Sequence, residues 1–222
     1  MTDDELTRRN FIRAVGGVGI AAGPLARSDG TDSTTDLAAS DLVVSGELLP
    51  PEFEPVGVPD EPPFIERLTD ADDQFEDADA AVRGYYVGGD QQHAERIVST
   101  LAIVCDTAPP RDVVESVSRS CHEQLLDEYR TERSDVTGHM KERHTDEWSE
   151  WRIALSLDRP PYVHKPEFTA TEFLDLVRIQ QYGRVVLGTV SFGPMDGTLR
   201  TDRLLWRGAR KQRDKLAAVR TS

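Results

Sequence analysis

A glycine-rich turn in the first half of the chain is flanked on both sides by aromatic and β-branched residues. This pattern predicts two strands, from about Ala81 to Val87 and from Glu95 to Cys105, joined through Gly88-Gly89-Asp90. Strands joined by a short turn pair antiparallel. An antiparallel sheet is therefore expected in this part of the chain.

A helix is expected after Pro109-Pro110, because apolar residues then recur three and four positions apart as far as about Thr131. This apolar stripe consists of Val113, Val114, Val117, Cys121, Leu125 and Tyr129. The next segment, from Glu132 to Glu147, is polar and contains histidines. It is predicted to be a loop.

The second half of the chain repeats this order with one more strand. The pattern predicts a strand over residues 148–158, a hairpin over residues 172–194 with its turn at Tyr182-Gly183, and a final helix from about Thr201 to Val219. The order ββα followed by βββα predicts an α+β domain. In this domain an antiparallel sheet of about five strands has two helices packed on one face.

The charge balance restricts the partners of the protein. The 222 residues include 40 acidic and 26 basic ones, which gives a formal net charge of -14 at pH 7. Nucleic-acid binding is not expected, because a phosphate backbone requires a basic surface. Lysine is scarce among the basic residues, and scarce lysine with an acidic excess is typical of proteins from salt-loving archaea, where molar salt screens the carboxylates. An acidic protein from a GC-rich genome would show the same balance.

The N-terminus carries a candidate export signal. Residues Thr7 to Arg13 resemble the twin-arginine translocation signal, whose pattern is Ser/Thr-Arg-Arg-x-Phe-Leu-Lys. Arg8 and Arg9 match the invariant pair of that pattern, Phe11 matches its aromatic position, and Ile12 replaces leucine. The resemblance implies that the twin-arginine translocase carries the folded protein out of the cytoplasm, to be secreted or held at the cell surface.

An uncharged, glycine-rich run from Ala14 to Ala26 follows this motif, so residues 1–26 are predicted to form a signal peptide. The run is shorter and less apolar than a transmembrane helix requires. Three alternatives stay open. In the first, the segment is not cleaved and tethers the protein to the membrane. In the second, the segment forms an amphipathic helix. In the third, the protein is cytoplasmic and its N-terminus only mimics a signal.

The chain after the signal divides by composition. Residues 27–63 are rich in Ser, Thr and Asp and then in proline, which predicts a disordered linker. Residues 64–222 are predicted to form a single α+β domain. The order of elements from Leu48 to Val219 resembles that of small extracytoplasmic lipoprotein and sensor domains of the PknH-like type, whose α/β fold is related to the PsbP-like group.

Two pairs of residues are candidates for a disulfide and for a metal site. Cys105 and Cys121 would form a disulfide in an oxidising compartment, but Cys121 also fits the apolar stripe, so two buried thiols are favoured. His139 and His144 lie in a segment that also offers Asp146 and Glu147, although their spacing matches no zinc signature. Solvated loop residues are the favoured interpretation of these histidines.

The last helix is basic in an otherwise acidic chain. Eight basic and two acidic residues lie between Arg200 and Arg220. The basic residues would either pair with the acidic body of the protein or form a patch for an acidic partner, an anionic glycan or lipid headgroups. The residues of the candidate patch are Arg203, Arg207, Arg210, Lys211 and Arg213.

These observations favour an exported, non-enzymatic binding or interaction module at the cell surface of a halophile. The sequence lacks the motifs of serine nucleophiles and of phosphate-binding glycine loops, so no catalytic residue and no cofactor are predicted. The alternative is an exported hydrolase or metal-dependent enzyme that uses the region from His139 to Glu147.

Overall fold

The computed structural model describes residues 37–55, 63–88, 96–132, 134–158, 169–195 and 201–221. Arg8, Arg9, Phe11 and Ile12 of the candidate export signal lie outside the described residues. The helices are α1 (Ala39–Leu42), α2 (Pro63–Ala71), α3 (Arg111–Glu132) and α4 (Thr201–Thr221). The strands are β1 (Glu54–Pro55), β2 (Asp79–Val87), β3 (Arg96–Val104), β4 (Val136–His144), β5 (Trp148–Leu157), β6 (Glu172–Tyr182) and β7 (Val185–Pro194).

All of these strands form one antiparallel sheet in the order β1-β2-β3-β7-β6-β5-β4. The predicted hairpins β2–β3 and β6–β7 are present, and the left-handed φ of 61° at Gly183 forms the turn of the second. The predicted sheet of about five strands with two helices is wrong, because the described residues form seven strands and four α-helices. β1, β4, α1 and α2 are the elements that the sequence pattern did not reveal.

Strand β4 occupies much of the segment from Glu132 to Glu147 that was expected to be a loop. It lies at the edge of the sheet, where Val136, Gly138 and Met140 contact the core and the His144 ring packs edge-on against the buried Trp151. The rest of the strand is polar and largely exposed. Charged side chains on an edge strand oppose pairing with other chains, and they also remove the apolar alternation by which a strand is recognised.

Helices cover both faces of the sheet, so the predicted packing on one face is wrong. Ile103 on β3 contacts the layer of α2 and α3, whereas its neighbours Ala102 and Val104 contact the layer of α1 and α4. Consecutive residues of a strand point to opposite faces. All residues of β3 and β7 are consequently buried, and strands covered on both sides show continuous apolar runs that do not reveal the placement of the helices.

Residues 37–55 are docked on the domain, although they were predicted to belong to a disordered linker. Leu42 at the end of α1 is fully buried against β3, β7 and α4. The Lys215 Nζ atom on α4 donates hydrogen bonds to the carbonyl oxygens of Asp41 and Val43, at 3.1 and 2.7 Å. These two carbonyl groups lie in the last turn of the short helix and at its C-cap, where backbone carbonyl groups lack partners within the helix.

Two contacts from the sheet hold the same segment. The Asp79 carboxylate accepts a hydrogen bond from the backbone N–H of Ala39 at 2.7 Å, and the Thr100 hydroxyl accepts one from the N–H of Val44 at 3.0 Å. Every anchor is distant in sequence from the segment that it holds. Composition alone therefore suggested a linker where long-range hydrogen bonds and burial impose order.

Both long helices agree with their predicted positions. α3 places Val114, Cys121 and Leu125 in the core, and α4 buries Leu204, Leu205 and Leu216. Within the described part of the chain, no helix combines the length and apolar character needed to cross a bilayer.

Candidate ligand-binding cleft

A cleft of about 600 Å³ opens between α4 and the β5–β6 side of the sheet. Three residues of the sheet line one side of the cleft, namely Trp148 on β5 and Arg178 and Gln180 on β6. The other side is lined by α4, and Trp206 is the first residue of α4 that lines it. The pairing register places Trp148 directly opposite Gln180 and Glu150 opposite Arg178. The volume lies in the usual range of small-molecule sites.

The Arg178 guanidinium group packs against two tryptophan rings, which also contact each other edge to face. Its central carbon is 3.4 Å from the ring centroid of Trp206 and 4.2 Å from that of Trp148. Arg178 is only 2% exposed, whereas Trp206 is 51% exposed. The two cation–π contacts fix the orientation of the rings and leave much of Trp206 accessible.

Glu150 compensates the buried charge of Arg178. Its Oε2 atom accepts a hydrogen bond from Arg178 Nη2, and its Oε1 atom lies 3.5 Å from Arg152 Nη2. Burial lowers the pKa of the Arg178 guanidinium group, and the bond to Glu150 opposes this effect. Arg178 is therefore a structural cation whose charge is largely balanced before any ligand arrives.

The helical side of the cleft carries most of the predicted basic patch. Arg207, Arg210, Lys211 and Arg213 line the cleft, whereas the predicted patch residue Arg203 does not. Of these four cations Arg210 has a weak contact to Asp214, with Nε 4.0 Å from Oδ2. Arg207, Lys211 and Arg213 have no carboxylate within 4.0 Å among the residues that the structure describes.

Gln180 lines the cleft and has one hydrogen-bonding atom without a partner among the described residues. Its Nε2 atom donates to the Tyr182 hydroxyl at 2.9 Å, while its Oε1 atom is buried and has no partner in the described part of the protein. A buried amide oxygen without a donor is unusual and calls for a water molecule or a ligand group.

The candidate metal residues His139 and His144 are not brought together. They lie five positions apart on β4, so the alternation of the strand directs them to opposite faces of the sheet. No group of His, Cys, Asp and Glu side chains suited to a metal ion occurs within the described ranges. The prediction that these residues lie in a loop is wrong, since both belong to the edge strand.

His144 instead joins a network that resembles a catalytic triad only in composition. Its Nδ1 atom is 3.0 Å from the Ser149 hydroxyl, and its Nε2 atom is 3.2 Å from the Glu142 carboxylate. However, Ser149 is 2% exposed, and its hydroxyl donates its single proton to Glu115 on α3. A nucleophile must reach a substrate and pass its proton to the histidine. This network therefore ties β4 and β5 to α3.

The two cysteines are free thiols. Cys105 lies just after β3 and Cys121 lies in the middle of α3, and both are buried. Burial raises the pKa of Cys105 to about 11 and also raises the pKa of Cys121. Both thiols are consequently protonated and unreactive at neutral pH, and the candidate disulfide is not formed in this structure.

Two buried titratable groups lie on the α3 side of the sheet, away from the cleft. Burial raises the pKa of Asp175 to about 7 and lowers the pKa of His122 to about 4, although a hydrogen bond to the Ser118 carbonyl opposes the second shift. Asp175 stands opposite Ile153 and Phe192 on the neighbouring strands. Because strand residues alternate between the two faces, Asp175 shares a face with Phe173, Val177 and Ile179, which is the face that α3 covers.

No protein-family model matches the chain, and no curated protein matches its sequence. Among solved structures, the chain is similar to the extracellular domain of PknH from Mycobacterium tuberculosis. The TM-score is 0.39 and the sequence identity is 9%, over 79% of this chain and 95% of that chain. This domain is a weak structural neighbour of the protein.

Proposed function

We propose that this protein is an exported binding module, without catalytic activity, whose cleft between α4 and the sheet takes an anionic ligand outside the cytoplasm. The observation that carries the proposal is the group of cations on the helical side of the cleft. Arg207, Lys211 and Arg213 lack carboxylate partners in the described structure, on a chain whose formal net charge is -14.

An acidic protein has no shortage of carboxylates with which basic side chains can pair. Cations that line a concave surface and remain unpaired produce a local positive potential, which a cleft with low-dielectric walls concentrates. Arg178 contributes less to this potential because Glu150 balances its charge. The positive charge without a carboxylate partner is therefore on α4, along the helical side of the cleft.

The binding test compares two variants with equal net charge. Lys211→Gln/Arg213→Gln removes two cleft cations, and the control Arg203→Gln/Lys141→Gln removes two exposed cations elsewhere. Calorimetric titration uses tripolyphosphate, trigalacturonate and a heparin-derived tetrasaccharide, and co-sedimentation uses vesicles that contain phosphatidylglycerol. We expect at least one probe to bind, and the cleft variant to bind it at least about tenfold more weakly, because the loss of a single charge-assisted contact already corresponds to about tenfold.

The control variant should change the affinity less than twofold, and binding should weaken as the KCl concentration rises. Equal affinity of the cleft variant and the unmodified protein would contradict the proposal, as would the absence of binding to every probe.

The export part of the proposal rests on Arg8 and Arg9, which match the invariant pair of the twin-arginine signal. Replacing both with lysine in the full chain should abolish its appearance in the medium and cell envelope of its own host, as measured by immunoblotting. The matched control Arg13→Lys restores the residue that the pattern prefers at that position and should leave export intact. Unchanged localisation of the Arg8→Lys/Arg9→Lys variant would overturn this part of the proposal.

A further inference from the structure

We infer that the ligand of this cleft is an acidic glycan, that is, a chain of sugar rings carrying carboxylate or sulfate groups. This inference rests on the proposed binding function and assigns separate roles to Trp206, to the helical cations and to Gln180. The sugar ring stacks on the free surface of Trp206, its acid group meets the cations, and one of its hydroxyl groups donates to Gln180.

Trp206 provides a stacking surface of fixed orientation. Its contact with the Arg178 guanidinium group, 3.4 Å from the ring centroid, holds the indole from one side, and the side chain is nevertheless 51% exposed. An aromatic ring that is supported from one side and open on the other loses little conformational entropy when a ligand packs on it. The C–H face of a pyranose ring is a suitable partner for such a surface.

The helical cations lie beside this stacking surface at helical spacing. Trp206, Arg210 and Arg213 are at positions i, i+4 and i+7 of α4, so they share one stripe of the helix. Arg207 and Lys211 form the neighbouring stripe along the same cleft. A ring stacked on Trp206 thereby places its acid group near Arg210, and an adjacent sugar of the same chain meets Arg213.

Gln180 distinguishes a glycan from a phosphate. Its Oε1 atom is a buried acceptor with no donor in the described part of the protein, and Gln180 lines the sheet side of the cleft next to its cross-strand partner Trp148. A sugar offers several hydroxyl donors in addition to its acid group, whereas an ionised polyphosphate presents almost only acceptors. A sugar can satisfy both the cations and this amide oxygen.

The shape of the site favours a chain-like ligand over a membrane surface. The helical cations line a concave cleft together with only two carboxylates of the described residues, Glu147 and Asp214, and the rest of the protein carries the large acidic excess. A flat anionic bilayer approaching α4 would also approach those carboxylates, and like charges would oppose contact. An oligosaccharide can enter the cleft without bringing a large anionic surface close to those carboxylates.

The test titrates the full chain by calorimetry with trigalacturonate, a heparin-derived tetrasaccharide, tripolyphosphate and the methyl ester of trigalacturonate. At least one acidic oligosaccharide should bind more tightly than tripolyphosphate. If trigalacturonate binds, its methyl ester should bind at least about tenfold more weakly, because esterification removes the charge and keeps the rings.

Trp206→Ala should weaken binding of the acidic oligosaccharide about tenfold, and Trp206→Phe should weaken it less, because phenylalanine retains a ring to stack on. Neither variant should alter binding of tripolyphosphate. Gln180→Leu provides a second test that leaves Trp206 in place, and it should weaken binding of the oligosaccharide alone. Circular dichroism of each variant confirms that it is folded.

Tighter binding of tripolyphosphate than of either oligosaccharide, with no effect of Trp206→Ala, would overturn the glycan inference and leave the proposed function standing. Binding to phosphatidylglycerol vesicles alone would likewise overturn it. The absence of binding to every probe would overturn both.

Discussion

Asp175→Asn should stabilise the protein by about 4 kcal/mol at pH 8 and leave its stability nearly unchanged at pH 4. Burial raises the pKa of this carboxyl group from 3.8 to about 7 in the folded protein. Each unit by which the folded and unfolded pKa values differ corresponds to about 1.4 kcal/mol. The folded state therefore carries a penalty for the ionised form that an amide of the same shape does not carry.

The sign follows from proton binding. Between pH 3.8 and about pH 7 the folded state holds a proton on Asp175 that the unfolded state has released, so stability falls as the pH rises through this window. His122 acts in the opposite direction. Its pKa of about 4 lies below its ordinary value of 6.5, so its contribution to stability is lost as the pH falls from 6.5 towards 4. His122 is present in both the unmodified protein and Asp175→Asn, so its effect on stability cancels in the difference between them.

Urea denaturation at constant KCl concentration, repeated from pH 4 to pH 8, measures the difference between the two proteins. Glu123→Gln, an exposed carboxyl-to-amide change on α3, serves as the control and should shift stability by less than about 0.5 kcal/mol at either pH. A constant difference between Asp175→Asn and the unmodified protein across this range would show that Asp175 is ionised in the folded state.

Glu150→Met should destabilise the protein by about 3 to 5 kcal/mol, because it leaves the Arg178 guanidinium group buried without a carboxylate. Arg178→Met should cost less. In that variant Glu150 retains Arg152, whose Nη2 atom lies 3.5 Å from Glu150 Oε1, and methionine can fill the space between Trp148 and Trp206.

The double variant Glu150→Met/Arg178→Met separates this explanation from simple loss of packing. Its stability in urea should lie close to that of Arg178→Met, because removal of the buried cation also removes the penalty that Glu150→Met creates. Additive costs of the two substitutions would show that the two side chains do not depend on each other.

The local sequence pattern was sufficient to predict the two hairpins and both long helices, because each of these elements has its own hydrophobic periodicity. The same approach failed for β4, whose apolar side chains face the core only at alternate positions near its start. It also failed for residues 37–55, whose order depends on Lys215, Asp79 and Thr100. Elements held by partners far away in sequence leave little local signal.

The candidate site was predicted in part. The basic residues of the last helix were identified from their charge alone, but their neighbours Trp148, Arg178 and Trp206 were not. These three side chains come together because β5 pairs with β6 and α4 packs across the sheet. A signal was present in the spacing, since Trp148 and Glu150 share one face of β5 and Arg178 and Gln180 share the same face of β6. The alternation shows which residues share a face, but only the register between β5 and β6 determines which of them lie side by side and form the site.

The contacts between Lys215 and the segment that contains the end of α1 join residues that are more than 170 positions apart in sequence. During translation the segment emerges from the ribosome long before α4, and its docking stays incomplete until the last helix supplies Lys215 and Leu216. Contacts of such large sequence separation form late in folding. A protein truncated before α4 therefore holds residues 37–55 only through contacts with the sheet, such as those of Asp79 and Thr100, and this segment becomes more open to proteases.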